Sequence, residues 1–274
     1  MSSGVTVANI RTTCGILTAE ISDADVTALI IEAEKAVEKY LNTSIGATTK
    51  IEYLDSDMGH DSRFIKLMNT PILNVLSIKI NGTSISPKYV KVYRGMLRLL
   101  DTAEKKSWDN TQPQNNLIKY QYGLLEETTT ETTLSTAVTT PTADYEVTIG
   151  SSTGLSNDDW IKLEGMDGYR EVTQFETVGT GTAKCDLNYP HEATSRVILM
   201  EVPSLMKRLV EIITSIMMVA RIVGASYDDI VGYSLGDMSV QKGEPYTQWR
   251  ETYKQLDDER KIILKSLRPQ PIVV

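Results

Sequence analysis

The run SLMKRLVEIITSIMMVARIVG, residues 204–224, constrains this chain more than any other feature. Pro203-Ser204 opens it as a helix, because the fixed φ of proline suits a first turn whose amides lack partners. Gly224 stands where a helix would be closed by a left-handed residue. Its apolar side chains cover much of the circumference rather than one stripe, so the helix must be covered on several sides. Lys207, Arg208, Glu211 and Arg221 make the apolar core of the run too short to cross a bilayer. At 274 residues and 41% hydrophobic content, the chain can build the core such a helix needs.

Two further helices are predicted. Ser22 and Asp25 form a capping-box pattern, and Val26, Leu29, Ile30, Ala33, Val37 and Leu41 then recur at helical spacing from about Asp23 to Leu41. A third helix, from about Thr247 to Leu267, carries Trp249, Tyr253, Leu256, Ile263 and Leu267 on one stripe.

Between these helices the period changes. IEYLDS, FIKLMN, VLSIKI, KYVKVY, MLRLL and LIKYQYG are short strand-like runs within residues 51–123. Asn81-Gly82 marks a tight hairpin, since a type I′ turn needs positive φ at both central positions. From Glu126 the composition turns threonine-rich, and DWIKLEG, YREVTQFETV, AKCDLNY and RVILMEV follow without any helical period up to residue 201. The expected fold class is therefore α+β: a helical body bearing β-hairpins, interrupted by an all-β insertion module. Residues 1–126 and 202–274 would form the body and 127–201 the insertion.

Chemistry is sparse. A net charge of −8 argues against gripping nucleic acid through its phosphates, which takes clustered Lys and Arg. MSSGVTVANIRTT shows no basic and then apolar leader pattern, so no secretory signal is expected. Cys14 and Cys185 lie far apart without a CxxC spacing and are expected as reduced structural thiols. His60 and His191 have no second ligand at metal spacing and are expected on the surface or in turns. Asp55, Asp57 and Asp61 surround Gly59 like the start of a calcium loop, but Lys66 stands where that loop needs a glutamate, so a solvated turn is expected. VGTGTA, residues 178–183, sits among strands and is expected as a turn. Carboxylate pairs such as Asp158-Asp159 are sequence neighbours and would not share a face. No catalytic residue, no metal and no cofactor is predicted, and the chain is expected not to be an enzyme.

The order of these parts resembles the head–tail connector, or adaptor, proteins of tailed bacteriophages. The resemblance lies in ISDADVTALIIEAEKAVEKYL, the hairpin LNVLSIKINGTSI, the strand ending KYQYG, the helix VPSLMKRLVEIITSIMMVARIVG, the segment YSLGDMSVQKG and a closing amphipathic helix. In compact members the YG strand runs almost directly into the proline of the next helix. Here Tyr122-Gly123 and Pro203 are separated by the β module, which itself resembles a small β unit of virion proteins through SSTGL, NDDWI and a closing His191-Glu192-Ala193.

The resemblance implies a structural virion protein at the neck. It would be one subunit of a ring, usually of twelve copies, joining the portal protein to a stopper or tail-completion protein. Double-stranded DNA would pass through an acidic channel without tight binding, and no membrane is involved. Portal contact falls by position on Leu267, Arg268, Pro269, Gln270, Pro271, Ile272, Val273 and Val274. Tyr233, Leu235, Asp237, Met238, Val240 and Lys242 would form an arm that pairs with a neighbour or edges the channel. On this view neighbouring copies cover the apolar helix. The alternative is a monomeric ligand- or carbohydrate-binding protein with its β module as the recognition element.

Overall fold

The computed structural model describes residues 3–15, 21–55, 64–93, 95–100, 107–108, 115–166, 168–228 and 245–267. By contacts the chain divides into two compact units, Met1–Leu41 with Pro203–Val274, and Asn42–Val202. The expected helical body is overturned. Strand (38%) exceeds helix (31%), and the protein is mostly β, with antiparallel sheets of four, three and six strands. The runs between residues 48 and 122 are not hairpins hung on helices. They build sheets with a core of their own, and all the sheets lie in the Asn42–Val202 unit.

The helical unit contains α1 (Val7–Cys14), α2 (Asp23–Leu41), α3 (Ser204–Asp228) and α4 (Pro245–Leu267). The predicted bounds of α2 hold, and its Asp25 amide donates to Ser22 Oγ at 3.2 Å. α1 was not anticipated; Thr6 caps it reciprocally with Asn9. Gly224 does not end α3, which runs on to Asp228. An interior glycine costs a helix only about 1 kcal/mol, too little to stop one already packed.

Neighbouring copies are not needed to cover α3 over its described side chains. Met206, Leu209, Val210, Ile212, Met218 and Val219 are buried, and α1, α2 and α4 of the same chain pack against the helix. Arg208 of α3 forks onto Glu259 of α4 at 2.8 and 3.0 Å and reaches Glu211 at 3.2 Å. On α4, Leu256 and Ile263 point inward, whereas Tyr253, expected on the same stripe, is 43% exposed.

In the sheet unit, β1 (Thr48–Leu54), β7 (Asn116–Tyr122), β3 (Ile72–Ile80) and β4 (Thr83–Ile85) form one sheet in that spatial order. The β3–β4 hairpin closes at Asn81-Gly82, both with positive φ, as the sequence predicts. β2 (Phe64–Lys66), β6 (Met96–Leu99) and β5 (Val90–Tyr93) make the small sheet and share the core of the first around Trp108, Tyr120, Leu97 and Ile118.

The six-stranded sheet runs β8 (Glu126–Thr133), β13 (Arg196–Glu201), β10 (Trp160–Glu164), β11 (Arg170–Val178), β12 (Thr182–Cys185) and β9 (Tyr145–Thr148). Gly179 to Gly181 make the β11–β12 turn, as expected of VGTGTA. Just past β8 and β9 the edges meet, with Ser135 N donating to Thr148 O and Gly150 N to Thr133 O, both at 2.8 Å. The sheet thus curls toward closure around Leu134, Ile161, Leu163, Phe175 and Val197. A smaller cluster, Ala47, Val172 and Met200 with Leu73, Leu125 and Trp160, joins it to the four-stranded sheet.

The chain passes from β7 toward β8 through Gly123, at φ +152°, against the loop before β1. Gly123 N donates to Pro71 O at 3.0 Å and Leu124 N to Ser44 O at 2.8 Å. A Cβ at Gly123 would lie 1.6 Å from Gly46 O, so only glycine lets these two backbones approach.

Candidate binding cleft

Within the sheet unit, β3, β5 and the six-stranded sheet surround a cleft of about 820 Å³. Its position follows from two short pairings. β4 covers β3 only at Ile78–Ile80, so residues 72–77 of β3 have no strand on that side among the described residues. β5, the last strand of its sheet, pairs only with β6 among the described residues.

Tyr189 spans part of the gap. Its hydroxyl donates to Val75 O at 2.9 Å and also touches Leu76 O, taking the place of a missing strand. Burial, with the nearby Glu171 carboxyl second, pushes the Tyr189 phenol well above its ordinary range and keeps it a donor. Tyr169 stacks on Tyr189 at 5.1 Å and 17°. Lys88 lies over the Tyr169 ring at 5.9 Å and the Tyr89 ring at 5.1 Å. Tyr189→Phe is expected to destabilise the sheet unit by about 1 kcal/mol, the usual net worth of one such hydrogen bond. Urea denaturation should show this as a lower midpoint at unchanged slope.

Behind Tyr189 lies a buried polar knot. Glu171 and His191 side chains are both 0% exposed, 3.2 Å apart. Glu171 also accepts from Asn188 N at 2.7 Å, Asn188 Nδ2 at 2.6 Å and Tyr189 N at 3.4 Å. The expectation of a surface or turn histidine is therefore corrected for His191, which is buried in a β-bridge with Val138. It is held inside by this carboxylate and by backbone pairing with Val138. Cys185 is buried nearby, and burial first, then Glu171, Asp186 and Glu176, push its thiol up to about 12, so it is an inert thiol.

Four cations line the cleft: Lys88, Lys91, Lys162 and Arg170. Lys162 is matched by Glu127 at 2.7 Å and Glu164 at 3.5 Å, and Arg170 by Glu164 at 2.7 Å. The Lys162 hydrogen bond holds the Glu127 carboxyl below its usual range. Lys88 and Lys91 make no ion pair among the described residues. Met166, 91% exposed, forms an apolar lip.

Elsewhere, carboxylate oxygens of Asp144, Glu176 and Asp186 come within 4.8 Å of one another, and all three residues are exposed. A hydrogen bond to Asp144, then desolvation and the charges of Asp144 and Asp186, raise the Glu176 carboxyl above 4.5. A carboxyl that titrates higher in the folded chain favours folding when protonated, and this advantage is lost as pH rises through the folded value. Asp144→Asn should therefore raise the melting temperature near neutral pH and flatten its decline on going up from 4.5, as read by thermal melts across pH.

The residues predicted as functional from sequence are not among the described residues that line this cleft. Tyr233, Leu235, Asp237, Met238, Val240 and Lys242, and Arg268, Pro269, Gln270, Pro271, Ile272, Val273 and Val274, lie outside the described residues, as do His60, Asp57 and Asp61. Leu267 ends α4, and its side chain is likewise outside them. Tyr169, Tyr189, Lys88 and Glu171 carried one signal, the parity of YREVTQFETV, which puts Glu171 on the same face as Phe175. Among the described residues, no helix is long and apolar enough to cross a membrane. No family model matches this chain, and no curated protein matches it.

Proposed function

We propose that this chain is a structural, non-catalytic subunit of a phage neck, a head–tail connector of the virion that joins a portal protein to a stopper or tail-completion protein. The observation that carries the reading is the order of elements. α2 is followed by the Asn81-Gly82 hairpin of β3 and β4, by β7 ending at Tyr122-Gly123, and then by α3 and α4. This is the order of parts on which the resemblance rests, with the six-stranded sheet added between Gly123 and Pro203. A ring of about twelve copies, implied by the resemblance and by the symmetry such assemblies take, belongs to the proposal. The buried state of α3 gives no support for the ring, so contacts between copies fall to other surfaces. The net charge of −8 suits a channel past which DNA slides.

The test is assembly. Light scattering and negative-stain images of the purified chain, alone and mixed with a portal ring, should show a complex with the portal. Removing residues 268–274 should abolish it. A chain that stays monomeric with and without the portal would end this reading. The cleft favours the monomeric ligand-binding alternative, which predicts that same result together with ligand binding.

A further inference from the structure

We infer that the cleft receives an acidic, extended segment of a partner protein, added as a strand along β5. Val90, Lys91 and Val92 are consecutive, yet all three line the cleft. Successive side chains of a strand point to opposite faces, so a strand contributes such a run when its edge, not a face, is turned to the space. That edge has no strand partner among the described residues; Val90 N donates to Pro87 O, and the outward-facing Val90 O, Val92 N and Val92 O are left to be matched by an incoming chain. β3 contributes residues 72–75 from its own uncovered side. Tyr189 occupies the carbonyls at 75 and 76, and thereby keeps the gap from closing by direct strand pairing.

Charge selects the occupant. Lys162 and Arg170 are neutralised by Glu127 and Glu164, whereas Lys88 and Lys91 at the β5 wall make no ion pair among the described residues. An incoming strand with carboxylates at alternate positions satisfies both lysines, and its other face meets Val92, Tyr169 and Met166. β5 has four residues, so pairing extends over about 13 Å at ~3.3 Å per residue. The inference names the chemistry of a partner and rests on the connector reading only in that a connector joins proteins.

The probe is a fluorescein-labelled peptide of alternating valine and glutamate, about ten residues long, so that it overhangs the four-residue edge. It is titrated by anisotropy into the full-length protein. Saturable binding is expected. Lys88→Glu combined with Lys91→Glu should weaken it by about tenfold or more, as loss and reversal of two facing charges does. A valine–lysine peptide should not bind, and neither should the acidic peptide N-methylated along one edge. Amide exchange at Val92, whose N–H faces away from β6, should slow when the acidic peptide is added.

No saturation up to millimolar peptide would overturn the inference. Equal affinity of the double variant, with an unchanged melting curve, would do the same. Undiminished binding of the N-methylated peptide would mark a site for anions in general and so also overturn strand addition; that arm needs no variant to fold. Portal assembly with no peptide binding sinks the cleft alone, whereas peptide binding with no portal assembly sinks the connector reading alone.

Discussion

Glu171→Ala is expected to destabilise the sheet unit by about 3–5 kcal/mol, since it strips several buried donors of their acceptor at about 1–3 kcal/mol each. The wild-type carboxylate has no exposed surface and accepts hydrogen bonds from Asn188, Tyr189 and His191. Alanine leaves those donors facing a void into which little water can come, and each unmatched buried donor is costly. The damage should spread, because Tyr189 is held to Glu171 through its own amide while its hydroxyl ties the six-stranded sheet to β3. Thermal melts should fall by roughly 10 °C, at 2–4 °C per kcal/mol for a unit of this size. Glu171→Gln keeps one carbonyl acceptor and should lose less. An alanine variant within about 1 kcal/mol of wild type would mean the knot adds little to stability.

Gly123→Ala should be comparably severe for a different reason. The added methyl would sit 1.6 Å from Gly46 O and 2.7 Å from Gly46 C, both backbone atoms that no rotamer change can move aside. Relief requires the loop before β1 to shift, and that loop is bound to the same stretch through Leu124 N and Ser44 O. Overpacking and forced φ each cost about 1–3 kcal/mol, and here they act together. The expected result is a large loss of soluble protein, or a chemical denaturation midpoint well below wild type. By contrast, Gly82→Ala meets no atom within 4 Å and should cost only the strain of its φ of +74°.

How much was legible in the sequence depended on whether local pattern decided the outcome. α2, the Asn81-Gly82 turn and the start of α3 were readable because caps, helical period and turn chemistry act within a few residues. α1 was missed because VANIRTTC is short and weakly periodic, and its cap residue Thr6 pairs with Asn9 rather than with an acid. The fold class was misjudged because short strands were counted as appendages. Which strand pairs with which is decided by distant partners, such as β7 lying between β1 and β3. The apolar girth of α3 was real, but the next helix, α4, and the sequence-distant α1 and α2 of the same chain satisfy it. The cleft was illegible for the same reason, since it needs Lys88, Tyr169 and Tyr189 brought together by three sheets. His191 resembled a turn histidine because nothing near it announced Glu171, twenty positions earlier.

The division into two units also sets an order of events during synthesis. The sheet unit is one continuous stretch, whereas the helical unit is made of two pieces separated by it. α1 and α2 therefore emerge with no central helix to hold, and their apolar faces wait until residues beyond 203 leave the ribosome. Domains fold as they are completed, so nascent chains arrested shortly after Val202 clears the exit tunnel should already resist protease across the strands while their leading helices are still cut.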